Sequence, residues 1–287
     1  MRQGLPGIPS AKVLQNLDIR KYFEEEMKLY HYTTLDSFCK IWVSKKIRFS
    51  DSLKTNDLFE QRKGLPAFDK LYTTKKYHSI LDAAKAFEKL YLEELSLYKQ
   101  ISFVMDYRDE EQNLICEGWQ SSMMWGQYAH NQTGVCIEID TKKLRTDNRR
   151  YENKIAYQED MPLLPKEDIF ICSKNSIKEY IQANIDSIFF VKHKHWEHEN
   201  EYRMIKQGYR DLYLSIKDAV TGVYVYSVQD INADIIEQLV PDDIKLYALW
   251  VEKRENCKVI DKVDYRYYKK VMAGEIILNR NPQVKLN

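Results

Sequence analysis

The sequence predicts an α+β protein in which a mixed sheet is flanked by helices. Three observations lead there. β-prone and amphipathic stretches intermingle along the 287 residues without the regular β-α-β alternation of a doubly wound sheet. Glycine (9) and proline (7) are sparse, which leaves little material for long flexible linkers. Hydrophobic residues at 44% and charged residues at 30% suit one globular core with a solvated surface, and exclude disorder and collagen-like repeats.

Residues 1–28 read as an N-terminal arm, with Gly4, Pro6, Gly7 and Pro9 ahead of a loosely helical pattern from Val13 to Phe23. Residues 29–287 read as a single domain with a helical insertion near 64–100. Leu29 to Thr33 is β-prone, and Thr34 is placed to cap a helix running to Ser44, where Leu35, Phe38, Ile41 and Trp42 recur at helical spacing. Ile47 to Phe49 reads as a strand, and Asp51 to Arg62 as a polar loop. Ile80, Ala84, Phe87, Tyr91, Leu95 and Tyr98 predict a helix over 79–98. A strand over 101–105 and a helix over 119–130 follow. Val135, Ile137 and Ile139 alternate with Cys136 and Glu138, predicting a strand over 134–140. Ile177, Ile181, Ile185 and Ile188 mark a further helix. Strands are expected over 201–205, 222–226 and 247–251, with a helix over 231–239.

Several function classes are disfavoured. A formal net charge of +1 provides no global pull toward nucleic acid or anionic lipid. The five cysteines, Cys39, Cys116, Cys136, Cys172 and Cys257, are scattered and never paired as C-x-x-C, which suits buried thiols in a reducing compartment rather than structural zinc. His193, His195 and His198 lie close together, but no cysteine or second histidine pair completes a metal set, so no metal is expected. No stretch reaches signal-peptide or transmembrane length, so a cytoplasmic protein without membrane contact is expected. G-x-G-x-x-G, the P-loop, G-x-S-x-G and H-E-x-x-H are all missing, which disfavours Rossmann dehydrogenases, P-loop NTPases, α/β-hydrolases and zincins.

Three stretches are dense in Trp, Tyr, His and Glu: Tyr30-His31-Tyr32-Thr33; Ser121 through Met124-Trp125 to Tyr128-Ala129; and Trp196 with Glu199, Asn200, Glu201, Tyr202 and Arg203. With the loop Asn56-Asp57-Leu58-Phe59-Glu60 they resemble, over about 29–206, a bacterial domain-of-unknown-function family. That family carries aromatic-His-Tyr-Thr, Asn-Asp-x-x-Glu, Met-Trp-x-x-Tyr-Ala and Trp-x-x-Glu-x-Glu-Tyr-Arg motifs. The order of His31, Tyr128 and Glu201 is also similar, at the level of fold analogy, to that of the His-Tyr-Glu ADP-ribosyltransferases.

That second resemblance implies a split sheet and an NAD-consuming transferase, with NAD as substrate. A bacterial toxin or phage-defence effector acting on nucleic acid or protein would fit. Glu201 would stabilise an oxocarbenium-like state, Tyr128 would stack on nicotinamide, and His31 would bind the adenosine-side ribose. Around them Tyr32, Thr33, Ser121, Ser122, Trp125, Glu199 and Arg203 would complete the NAD site. One departure stands out: the transferases close their second-motif strand with Phe-Ser, whereas this chain reads Ser102-Phe103-Val104-Met105, leaving Ser121 or Ser122 to stand in.

Plainer readings compete. Met124 and Trp125 have the spacing and size of core residues. Tyr128 shares their face. On one strand Glu199, Glu201 and Arg203 would point the same way, which allows a structural ion pair. Asn56, Asp57 and Glu60 have the chemistry of loop capping, with a ligand border as the alternative. A non-catalytic nucleotide- or nucleic-acid-binding module with a degenerate transferase pocket is the alternative function.

Overall fold

The position of the site follows from the neighbours of one strand, β1 (Lys28–Thr33). The computed structural model of the chain describes residues 27–57, 60, 80–145, 150–160, 173–226, 231–253 and 258–275. After β1 come β2 (Lys46–Arg48), β3 (Ser50–Asp51), β4 (Tyr98–Met105), β5 (Tyr107–Arg108), β6 (Leu114–Cys116), β7 (Val135–Asp140) and β8 (Arg150–Lys154). The rest are β9 (Ala156–Gln158), β10 (Val191–His193), β11 (Glu201–Gln207), β12 (Tyr213–Ser215), β13 (Val220–Val225), β14 (Lys245–Lys253) and β15 (Lys258–Asp264). Helices cover Leu35–Ser44, Ile80–Leu95, Ser122–Tyr128, Lys174–Ala183, Ile185–Phe189, Ile231–Leu239 and Tyr265–Met272.

Among the described residues nine strands form the main sheet, in the order β15-β14-β13-β7-β1-β4-β11-β8, with β3 paired to β4 off that path. Pairing is antiparallel except between β13 and β14, which run parallel on either side of the helix Ile231–Leu239. The mixed sheet and its helices make the α+β class expected from the sequence.

The sheet is not evenly zipped. β1 pairs with β7 along its whole length, from Lys28 opposite Asp140 to Thr33 opposite Val135. β4 pairs with β11 from Glu201 opposite Val104 to Gln207 opposite Tyr98. Between β1 and β4, only Leu29 opposite Met105 and Tyr30 opposite Val104 are paired. Past Tyr30 the two central strands part, and a cleft opens where a ladder would otherwise continue.

Period-two alternation sorts the core into two faces. Leu29, Phe103, Ile137, Met204 and Val223 pack on one side with Phe38, Ile41 and Trp42 of the first helix. Thr34 starts that helix as expected, its Oγ1 accepting from the Ser37 amide at 3.3 Å. Tyr30, Tyr32, Val104, Cys136 and Tyr224 pack on the other side with Trp119 and Trp125. Glu138 is buried in this second layer and is satisfied by Thr221 Oγ1 and the Tyr224 hydroxyl, each donating at 2.6 Å, with Lys28 Nζ at 3.3 Å.

Four expected elements differ in extent. The helix over 79–98 stops at Leu95, and Tyr98 opens β4. Tyr98 nevertheless packs in the same cluster as Phe87, Tyr91 and Leu95, so apolar spacing carries across the turn and hides the boundary. The helix over 119–130 is a 3-10 turn, Gly118–Gln120, followed by Ser122–Tyr128, with Ser121 held extended between them. The helix through Ile188 breaks at Asn184. Asp51 to Arg62 is no solvated loop throughout: Asp51 lies in β3, and Asp57 and Glu60 are buried. Residues 1–26 of the expected arm, 58, 59, 61 and 62 of the expected loop and 64–79 of the expected insertion lie outside the described residues, while Lys28 already belongs to β1. Among the described residues no helix is long and apolar enough to cross a membrane.

Candidate functional site

The cleft between β1 and β4 has a cavity volume of about 250 Å³, just under the roughly 300–1,000 Å³ of small-molecule sites. Tyr30, His31 and Tyr32 form one lip and Gln100 to Val104 the other. Arg48, Ser50, Lys54, Thr55, Asn56 and Glu60 border it, and Met124, Tyr128, Lys192, Glu199, Glu201 and Arg203 close it.

An ion-pair cluster forms the floor. Glu201 begins β11, and two residues on, Arg203 points from the same face. Arg203 grips Glu201 with both arms of its fork, Nε to Oε1 at 2.6 Å and Nη2 to Oε2 at 2.8 Å. Its remaining arm donates to Glu60 Oε1 at 2.5 Å and to the Phe189 carbonyl at 2.8 Å. Lys192, in the middle of β10, reaches Glu201 Oε2 at 3.3 Å and also donates to Glu199 Oε2. The Tyr128 hydroxyl donates to Glu199 Oε1 at 2.6 Å. All five charged groups are buried, so each carboxylate is held against a cation away from bulk water.

Glu199 and Glu201 converge by a route other than a shared strand face. Glu199 ends a 3-10 helix, Lys194–Glu199, and Asn200 takes the left-handed conformation (φ 41°, ψ 53°) before β11 starts. Asparagine tolerates that backbone, and here its Nδ2 donates to the carbonyls of Met105 and Asp106 at 3.1 and 3.0 Å. The turn is thereby tied to the end of β4. The Glu201 amide donates to the Tyr157 hydroxyl at 2.9 Å, so the carboxylate is held from its backbone as well.

These surroundings set the protonation states. Burial pushes the Glu201 carboxyl up, but the Arg203 and Lys192 charges and a Ser102 hydrogen bond outweigh it and hold the pKa at about 2. Burial lowers the Lys192 ammonium, while Glu201, Glu60 and Glu199 more than restore it, so it is raised overall. Tyr128 is raised by burial and by the Glu199 charge, and keeps its proton. Burial lowers His31 to about 4, against a smaller opposing effect of the Ser102 carbonyl. Its imidazole is neutral at pH 7. Because the Ser102 oxygen, 3.3 Å from Nδ1, can only accept, the ring carries its proton on Nδ1 and keeps Nε2 as an acceptor.

Of the residues chosen from the sequence, His31, Tyr32, Tyr128, Glu199, Glu201 and Arg203 line this one cleft. His31 enters from the sheet face opposite to Glu201, with its ring 5.6 Å from that of Phe103. The cleft is open to it because β1 and β4 have parted there.

Four others do not line it. Trp125 is fully buried, edge-on to Tyr32 at 5.2 Å, and its Nε1 donates to the Trp119 carbonyl at 2.8 Å; it is a core residue. Thr33 is buried at the far end of β1, where its carbonyl lies against Gly134. Ser121 is committed to capping, accepting from the Met124 amide at 3.5 Å, and Ser122 is exposed at the helix start. The serines that line the cleft are Ser50 and Ser102, the latter opposite Arg203 on β4.

From the sequence Gln100 is missed, Lys192 opens the third motif without a site role, and Glu60 is a loop cap with a ligand border as the alternative, the place it takes here beside Asn56. Alternation along β4, where Gln100, Ser102 and Val104 share a face, was the available signal for Gln100 and Ser102. Among the described residues no group of three or more His, Cys, Asp or Glu side chains is arranged to hold a metal, and the His193 and His195 rings pack edge to face at 4.2 Å.

Neither the curated proteins nor the solved structures compared with this chain contain a match. Residues 124–204, the span that carries Tyr128, Lys192, Glu199, Glu201 and Arg203, match the model of a family described as protein of unknown function, DUF2971.

Proposed function

We propose that the chain is an NAD-consuming enzyme of the ADP-ribosyltransferase kind. The parting of β1 from β4 carries this reading, because it gathers His31, Tyr128 and Glu201 around one cleft in a split sheet. In the reaction the bond between the nicotinamide nitrogen and ribose C1′ breaks, and its electron pair leaves with nicotinamide. A nucleophile, either water or an acceptor group, then forms the new bond to C1′ and gives up its proton. Positive charge builds on the ribose before that bond is made.

The chain's own groups suit each demand. With a pKa of about 2, Glu201 is a permanent anion at neutral pH, so it stabilises developing positive charge and does not shuttle protons. A carboxylate has about four lone-pair positions. Those of Glu201 meet Arg203 twice, Lys192 and Ser102, whereas Glu199 meets Tyr128 and Lys192. Glu199 therefore retains the greater capacity to accept a hydrogen bond from a ribose hydroxyl or the incoming nucleophile. Tyr128 offers an aromatic face to nicotinamide while Glu199 fixes its hydroxyl. His31 offers Nε2 to a ribose hydroxyl.

The test is incubation of the purified chain with adenylate-labelled NAD and cell extract. Nicotinamide release and label transfer are expected, and Glu201→Gln and Tyr128→Ala should each abolish or sharply reduce both. A wild-type chain that does neither, or a Glu201→Gln variant that turns over normally, overturns the reading. The saturation of Glu201 favours one second reading, a nucleotide-binding module without turnover. NAD would then raise the melting temperature, since a ligand bound only by the folded state stabilises it, while no nicotinamide is released.

A further inference from the structure

Along β4 the cleft changes character. At its inner end Val104 lies opposite Glu201, and the charges there neutralise one another almost completely. Two steps outward is Ser102, and two further is Gln100, opposite Ser50 of β3. At this outer end the charges are of another kind. Arg48 lines the cleft with its side chain 64% exposed, and among the described residues its one ion pair is a 3.9 Å contact with Asp211, itself 68% exposed. An exposed pair of that length contributes little and leaves the guanidinium available. Lys54 also lines the cleft and is exposed, and among the described residues its ammonium has no partner.

Between these cations and the floor sits an unsatisfied acceptor. Gln100 is more than nine-tenths buried and lines the cleft, yet its Oε1 has no hydrogen-bond partner among the described residues. A buried amide oxygen without a donor carries the full penalty of its desolvation. Such a group is accounted for when a ligand hydroxyl donates to it.

We propose that Arg48, Lys54 and Gln100 form a ribose-diphosphate subsite at the mouth of the cleft. Arg48 and Lys54 take the diphosphate oxygens, and Gln100 Oε1 accepts from an adjoining sugar hydroxyl. The subsite rests on the NAD reading of the same cleft and sets the direction of the dinucleotide in it. Its nicotinamide ribose lies inward at Glu201 and Tyr128, and its diphosphate lies outward over Gln100.

The experiment measures binding of ADP-ribose, ADP and nicotinamide riboside to the full chain, its Arg48→Ala and Lys54→Ala variants and the double variant. Both positions are exposed, and circular dichroism checks that the fold is kept. Each single change should weaken ADP and ADP-ribose about tenfold, the loss of one charge-assisted contact of about 1.4 kcal/mol. The double variant should lose more and show a flatter dependence on salt, while nicotinamide riboside, which has no phosphate, binds as before. Unchanged ADP binding in the double variant overturns the subsite, as does an equal loss for nicotinamide riboside. If the double variant also cleaves NAD with an unchanged KM, the subsite falls and the NAD reading stands. If the wild type ignores NAD but binds ADP through Arg48 and Lys54, the subsite stands and the NAD reading falls. A wild-type chain that binds none of these ligands overturns both.

Discussion

Arg203 and Glu201, two residues apart on one face of β11, are joined by a two-armed ion pair with bonds of 2.6 and 2.8 Å, and both side chains are buried. Such a pair does not need to stabilise the fold relative to apolar residues, because desolvation of the two ions offsets their attraction. Losing one partner is another matter. Arg203→Met leaves Glu201 and Glu60 without their shared cation and is expected to cost about 3–5 kcal/mol. Urea unfolding measures it. Arg203→Lys should recover only part of the loss, since an ammonium cannot reproduce the fork.

Acid should weaken the protein in two stages. His31 has its pKa lowered from 6.5 to about 4, so between these values the unfolded chain binds more protons than the folded one. Stability is therefore expected to fall as pH drops through that window, and His31→Gln should flatten the fall. Glu201 is depressed from 4.5 to about 2, so its contribution is complete above 4.5 and is lost as pH falls toward 2. Urea midpoints at successive pH values separate the two. An equal slope between pH 6.5 and 4 in wild type and His31→Gln would exclude a depressed His31 imidazole.

Tyr128 has two functions in the proposed reaction, and two substitutions separate them. Tyr128→Phe keeps the ring and removes the hydroxyl that donates to Glu199. Tyr128→Ala removes both. Stacking of a base on an aromatic ring contributes roughly 1–3 kcal/mol. The alanine variant should thus bind and cleave NAD about 5- to 150-fold less well than the phenylalanine variant, read as kcat/KM for nicotinamide release.

Two glycines near the site should respond to alanine with opposite signs. At Gly134, just before β7, an added Cβ would run into the Thr33 carbonyl oxygen and the backbone of Ala129, which cannot move without disturbing the β1–β7 ladder. Gly134→Ala is expected to destabilise by about 1–3 kcal/mol. Gly126 lies within the helix Ser122–Tyr128, and nothing approaches its added Cβ within 4 Å. Gly126→Ala should stabilise by about 0.4–1 kcal/mol, because it restricts the unfolded chain and suits the helix. Melting temperatures of the two variants check both signs.

Local chemistry determined much of this protein before any fold was known. The Thr34 cap, the period-two pattern over 135–140 and the helix Ile231–Leu239 depend on neighbouring residues and are legible from them. So was the Glu201–Arg203 pair, since residues two apart on a strand must share a face. Tertiary structure decided the rest, and for identifiable reasons. Whether Trp125 faced a ligand or the core depended on Tyr32 of β1 and Tyr226 just after β13, which are distant in sequence. Glu60 reaches Arg203 across 143 positions of sequence, and nothing in its own loop announces that partner. Ser102 outranked Ser121 and Ser122 only once β4 was set beside β11. The cleft itself arises where β1 and β4 stop pairing after two residues. Strand separation is a relation between distant segments, and no periodicity within either segment encodes it.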